Sequence, residues 1–181
     1  IEVRDLVAGY GTTPIIENIS FDIDPGEIFV ILGGSGCGKS TLLKHMIGLL
    51  PPLSGDVIIQ GENLVKAQGE ERTRILQNIG VAFQSGALFG SMTVLENVML
   101  PLKEFTTLPE TLMDGTARVK LGLVGLEAAA DRMPGELSGG MVKRAALARA
   151  MALDPAIVFL DEPSAGLDPV TSAALDQLII D

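Results

Sequence analysis

A chain of 181 residues, 47% hydrophobic and 20% charged, has the composition of a folded globular protein large enough to bury a core, and its length predicts one domain. Its formal net charge of −10 excludes a non-specific nucleic-acid binder, so any anion it takes must be held by local geometry rather than by a basic face. The apolar runs are too short to cross a bilayer, the opening residues lack the pattern of a signal peptide, and Cys37, the one cysteine, admits no intrachain disulfide, which fits a reducing compartment.

In chain order, the first strong element is IFVIL at 28–32, apolar at every position, which predicts a strand buried on both faces. A glycine-rich loop follows, then apolar Leu42, Leu43, Met46, Ile47 and Leu50 at helical spacing until Pro51 and Pro52 stop the pattern. His45 falls off that stripe and reads as a solvated helix residue. Strand-like runs return at 79–83 and 156–160. The section from about 86 to 135 reads as mostly helical, opening on a capping box from Thr93 to Glu96, and a further helical pattern covers 141–153. Strands alternating with helices predict an α/β fold with a largely parallel sheet. The chain begins without Met and stops inside a helical pattern, TSAALDQLIID, so it reads as a fragment truncated at its C-terminus.

Gly33-x-x-x-x-Gly38-Lys39-Ser40 matches the Walker A pattern in a strand–loop–helix context. Glycines let backbone N–H groups turn in on a phosphate chain, and the helix N-terminus adds partial positive charge. Gly33, Gly34, Ser35, Gly36, Cys37, Gly38, Lys39, Ser40 and Thr41 are therefore the candidate ATP cradle. Lys39 is placed for the β- and γ-phosphates and the Ser40 hydroxyl for Mg²⁺. Cys37 reads as a small residue fitting a tight turn, with a redox sensor as the alternative.

The apolar run AIVFL ends in Asp161 and Glu162. A buried strand that delivers acids at its C-terminal end puts them where open α/β sheets bind ligands. Asp161 then suits Mg²⁺ and Glu162 the attacking water; an exposed acidic turn before Pro163 is the alternative. A second glycine-rich helix opening, Ser138-Gly139-Gly140, is another anion-binding helix start, but one with no lysine at its mouth.

Walker A, Gln84 after IGVAF, LSGG at 137–140, FLDEP, and SAGLDP at 164–169, in this order, resemble the ATP-binding-cassette ATPases over nearly the whole chain. The resemblance implies a P-loop NTPase fold: a RecA-like core with a mostly parallel sheet, an N-terminal antiparallel β part and an inserted α-helical subdomain. It implies one nucleotide-binding domain over 1–181, incomplete at its C-terminus, with the ATP-binding core at 1–85 and 140–181 and the helical, signature-bearing part at 86–139. Family members pack head to tail, so Ser138, Gly139 and Gly140 are expected to meet the γ-phosphate held by the partner cassette, with Asp168 in the dimer-facing loop.

By the same resemblance Tyr10 stacks on adenine, a plain core or surface role being the alternative, and Gln84 senses Mg²⁺ and the γ-phosphate. Catalysis falls to Glu162, Lys39 and Gln84, and metal binding to Ser40, Gln84 and Asp161. The family's switch histidine lies beyond this chain, so weak hydrolysis is expected of it. Where the common signature has Gln, this chain has Met141. That residue and the runs FQSGALFGSMTVLENVMLPL and LSGGMVKRAALARAMALDP resemble the MlaF-type phospholipid-transport ATPases. Those imply an MlaE-like permease docking near Gln84–Asn97, at the cytoplasmic face of the bacterial inner membrane. Leu88, Phe89 and Met92 are candidates for the receiving groove, with ordinary packing as the alternative. A chromosome-organising cassette would need a long coiled coil between Lys39 and Ser138. A translation-associated one would need basic segments, and a turnover-free regulatory module would be expected to lack Glu162; none of these patterns is present.

Overall fold

The computed structural model describes residues 1–180 and divides into two compact units, Ile1–Leu76 and Gln77–Asp181.

The first unit is built on an antiparallel sheet. Strands β1 (Glu2–Tyr10) and β2 (Thr13–Asp22) form a hairpin closed by Gly11 and Thr12. β3 (Ser54–Ile59) and the short β4 (Glu62–Asn63) follow, giving the order β2-β1-β3-β4. Val3, Leu6 and Ala8 are all buried although Val3 and Leu6 are three apart. A register shift between them, with Asp5 at φ 44°, supplies the extra residue that puts Leu6 back on the core face. Val57 and Ile59 complete that face. Helix α1 (Lys39–Met46) ends four residues before the predicted stop at Leu50: Ile47 caps it and Gly48, at φ 69°, turns the chain out.

The predicted strand at 28–32 does not form. Ile28, Phe29, Val30, Ile31 and Leu32 are all exposed, Leu32 to 87%. A run apolar at every position needs cover on both faces and pairing at both edges. The sheet of its own unit closes without it, and the run's one ring contact is Phe29 stacked on Phe21, centroids 5.0 Å apart.

The second unit carries a parallel pair, β5 (Ile79–Ala82) beside β6 (Ile157–Leu160), in register from Ile79↔Ile157 to Ala82↔Leu160. These match the two later predicted strands to within a residue. Helix α2 (Gly69–Gln77), which belongs to the first unit up to Leu76, precedes them in sequence. The helical section holds α3 (Val94–Phe105), α4 (Glu110–Leu123) and two 3₁₀ turns, at Glu127–Ala129 and Pro134–Glu136. Thr93 caps α3 as its sequence predicts: Oγ accepts the Glu96 N–H (3.1 Å) and the Glu96 carboxylate accepts the Thr93 N–H (2.7 Å). The core joins Val94, Val98 and Leu102 of α3 with Ala117 and Leu121 of α4 and Ala145 and Ala148 of α5 (Gly139–Ala150). Helix α6 spans Pro169–Ile180. Among the described residues no helix is long and apolar enough to cross a membrane.

Candidate functional site

In the first unit, Gly36 (φ 79°) and Gly38 (φ 102°) turn the loop into α1. A side chain on Gly38 is excluded twice, by its φ and by Ile16, whose Cδ1 would stand 2.7 Å from a Cβ. Lys39 Nζ folds back over the loop and donates to the carbonyl oxygens of Gly33 (2.9 Å) and Gly34 (3.1 Å), which places the ammonium at the loop mouth. Cys37 is exposed, its Sγ lying over Gly33.

Tyr10 ends β1 with about half its surface exposed. Its hydroxyl accepts hydrogen bonds from Thr41 Oγ1 (3.5 Å) and Lys44 Nζ (3.4 Å), and the Lys44 ammonium stands 5.8 Å from the ring centroid. The Thr41 bond first, then Lys44, draws the phenol's pKa down. An exposed aromatic face thus lies beside the helix that the phosphate loop opens.

The neighbouring residue, Gly9, is where the sequence reading of His45 needs correction. His45 is 1% exposed, not solvated. Its Nε2 lies 3.1 Å from both N and O of Gly9, and its Nδ1 lies 3.1 Å from Leu50 O. Accepting the Gly9 N–H at Nε2 leaves the proton on Nδ1, which donates to Leu50. The buried face of α1 runs through Thr41, Leu42, His45 and Met46, one position round from the stripe that Leu43 and Ile47 suggest.

In the second unit the two parallel strands deliver Gln84 and the carboxylates side by side. The Asp161 N–H donates to Ala82 O (3.0 Å), continuing the ladder past β6. Gln84 Nε2 then donates to Glu162 Oε2 at 2.9 Å. Glu162 has φ 47°, a left-handed conformation that a non-glycine residue holds only when its surroundings fix it. Here its carbonyl accepts both the Ala165 N–H (3.1 Å) and Lys143 Nζ (3.1 Å).

The signature begins at the exposed Ser138, the N-cap of α5, whose Oγ accepts the Met141 N–H at 3.3 Å. Gly140 is buried against Thr171 of α6, so the starts of α5 and α6 lie together. Asp168 caps α6: Oδ1 accepts the N–H groups of Val170 and Thr171, both at 3.1 Å. The Thr171 side-chain bond, followed by these backbone bonds, holds the Asp168 carboxyl below its usual range.

Three residues of this unit escaped the sequence reading. Lys143 holds Glu162, Arg149 holds the turn after Gln84, and the fully buried Asn97 binds the loop at 89–93 with four hydrogen bonds. Asn97 Oδ1 accepts the Phe89 N–H (2.7 Å), and Nδ2 donates to the carbonyls of Phe89 (3.1 Å), Met92 (3.2 Å) and Thr93 (2.9 Å). Phe89 itself is 51% exposed, while Leu88 packs on the helical core.

Of the residues expected at a metal, Ser40 belongs to the first unit and Gln84 and Asp161 to the second, and each side chain carries an oxygen, the donor Mg²⁺ prefers. A lysine-closed glycine loop at a helix start fits a polyphosphate. Fold and site together define a P-loop nucleotide-binding protein. The sequence pattern of the family described as ABC transporter matches residues 16–165, and the chain belongs to that family. It is 48% identical over 181 residues to the "Probable ribonucleotide transport ATP-binding protein mkl" of Mycobacterium leprae, covering all of this chain and 52% of that one. It is 44% identical over 179 residues to the "Intermembrane phospholipid transport system ATP-binding protein MlaF" of Escherichia coli K12, covering 99% of this chain and 66% of that one. A solved dimeric structure, a post-hydrolysis state of the ATP-binding cassette MJ0796 bound to ADP and Pi, superposes with a TM-score of 0.89 at 32% identity, over 98% of this chain and 80% of that one. The α/β fold with an antiparallel sheet, a parallel sheet and a helical section is thus the cassette fold. The chain spans about half the length of the mycobacterial relatives.

Proposed function

We propose that the protein binds and hydrolyses ATP with Mg²⁺ as the ATPase subunit of a transporter. It pairs head to tail with a second cassette and drives an integral membrane permease that moves phospholipid or another lipid. The carrying observation is the Gln84–Glu162 hydrogen bond at the ends of adjacent parallel strands, which holds a carboxylate beside a metal-suited aspartate.

In this reading residues 33–41 cradle the triphosphate, and Lys39 answers the charge that develops on the γ-phosphoryl oxygens. Ser40, Gln84 and Asp161 would hold Mg²⁺, which would neutralise charge on the phosphate oxygens. Glu162 orients the attacking water and takes its proton, while Gln84 keeps the carboxylate aimed. Tyr10 presents its ring to adenine. Ser138 and the N–H groups of Gly139 and Gly140 complete the partner's pocket, with Asp168 in the pairing loop. Residues 1–85 and 140–181 make the ATP-binding core and 86–139 the helical part. The exposed Phe89, beside Leu88 and Met92, receives an MlaE-like permease near Gln84–Asn97, on the cytoplasmic face of the inner membrane.

The two relatives carry different cargo in their names, and cassettes do not touch the cargo. Lipid is preferred because Met141 and the runs at 83–102 and 137–155 follow the MlaF pattern. The test is the solution mass of Glu162→Gln by light scattering with and without Mg-ATP. Removing the water-activating carboxylate is expected to trap an ATP-dependent dimer that Ser138→Arg abolishes. A mass that stays monomeric at saturating ATP counts against the shared site. Stimulation of the permease-bound ATPase by phospholipid and not by ribonucleotide would support the lipid cargo, and the reverse would refute it.

A further inference from the structure

Helix α5 carries two cations, six residues apart, that each bind main-chain carbonyls of a turn next to the Gln84–Glu162 pair. Arg149 Nη1 donates to Ala87 O at 2.7 Å and Nη2 to Gly86 O at 2.8 Å. Lys143 Nζ donates to Glu162 O at 3.1 Å. All three carbonyls belong to residues in the left-handed region: Gly86 (φ 76°), Ala87 (φ 48°) and Glu162 (φ 47°).

For Ala87 and Glu162 that conformation is strained, and strained backbone persists only where neighbouring contacts over-determine it. For the first turn those contacts come from α5. Arg149 bridges two successive carbonyls, and Gly86 sits so close to Val142 that a Cβ would lie 2.6 Å from Val142 Cγ1. For the second, Lys143 shares the Glu162 carbonyl with the Ala165 N–H while Gln84 takes the carboxylate. The guanidinium meets the two carbonyls through two nitrogens of one rigid fork; a lysine in place of Arg149 brings a single nitrogen on a flexible stem and does not fix both carbonyls in that geometry. Both cations are half-buried, and burial draws the pKa of each down, for Lys143 against the opposing pull of Glu162.

We propose that Lys143 and Arg149 are positioning residues that set the Gln84 amide against the Glu162 carboxylate by fixing the turns that carry them. The inference rests on the reading of Glu162 as the water-activating group. It predicts that the helix opened by Ser138 also determines the geometry of the hydrolytic pair in its own chain.

The experiment compares Arg149→Lys, Lys143→Met and Lys143→Arg in the full-length protein by two readouts. Hydrogen exchange, followed without nucleotide, should quicken in segment 84–89 for Arg149→Lys and in 161–165 for Lys143→Met, with the rest of the chain unchanged. Steady-state ATPase should lose roughly tenfold in kcat with KM within about twofold, the signature of an effect confined to the chemical step. Lys143→Arg should recover most of the loss. Wild-type exchange in both segments, or quickened exchange with kcat intact, overturns the proposal. So does a loss that Lys143→Arg fails to restore. Should Arg149→Lys not fold, the Lys143 pair decides. Wild-type turnover in Glu162→Gln would remove the water-activating assignment instead, and the exchange data would still decide whether α5 holds the two turns.

Discussion

His45 offers a quantitative test of how the first unit is held. Replacing it with leucine keeps the size and removes both ring nitrogens, leaving the Gly9 N–H and the Leu50 carbonyl at a site where the ring is 1% exposed. A buried backbone group that loses its partner costs about 1–3 kcal/mol, so two cost about 2–6. The extra apolar burial of leucine returns about 1 kcal/mol. The net expectation is a destabilisation of about 1–5 kcal/mol, which for a chain of this size lowers Tm by roughly 2–20 °C. Two intermediate variants sharpen it. In His45→Asn the amide nitrogen overlays Nδ1 and can still donate to Leu50. In His45→Gln the amide oxygen overlays Nε2 and can still accept from Gly9. Each should recover about half the loss, measured by urea unfolding at fixed slope. If His45→Leu unfolds within about 0.5 kcal/mol of the wild type, the imidazole is not the clamp between β1 and the end of α1 and the reasoning fails. If the ring matters only as bulk, leucine will outrank asparagine and glutamine, which inverts the predicted order.

Asn97→Ala removes four hydrogen bonds at a fully buried position and should cost about 2–4 kcal/mol, read by calorimetry; a loss under about 1 kcal/mol would mean the loop at 89–93 satisfies itself. Gly86→Ala should cost about 1–3 kcal/mol in urea unfolding. Adding Val142→Ala should relieve the steric share but not the share due to φ 76°, so full rescue would rule out backbone strain. Glu96, held below its ordinary 4.5 chiefly by the Thr93 N–H, and Asp168, held below 3.8 chiefly by Thr171, stabilise the fold above those values. That contribution is lost as pH falls through the still lower folded-state pKa, so stability should drop below about pH 4 and less steeply in Glu96→Gln and Asp168→Asn. An identical acid limb in the variants would remove that assignment. Phe89→Asp, at an exposed position, should leave the purified cassette folded and abolish stimulation by the permease; full stimulation in the reconstituted complex would exclude Phe89 from the docking groove.

What could be read from sequence alone was whatever local chemistry decides. The capping box at Thr93 and Glu96 closes within four residues and forms as spelled. The runs at 79–83 and 156–160 become strands because each finds the other as a parallel partner in its own unit. The run at 28–32 carries an equally strong pattern and forms no strand, since an all-apolar run states only that it needs cover and not which surface provides it. His45 was misread for the converse reason. Periodicity places a residue on a helix face, but whether that face is buried depends on the element packed against it, here β1 at Gly9. Lys143 and Arg149 were silent because a cation on a helix reads as a solvated one. Their partners are main-chain carbonyls, which every residue supplies and which leave no trace in composition. Groups that contact a phosphate or a metal are thus advertised by residue type and spacing. Groups that hold those residues in place act through backbone and are seen only once the turns at Gly86, Ala87 and Glu162 have been drawn.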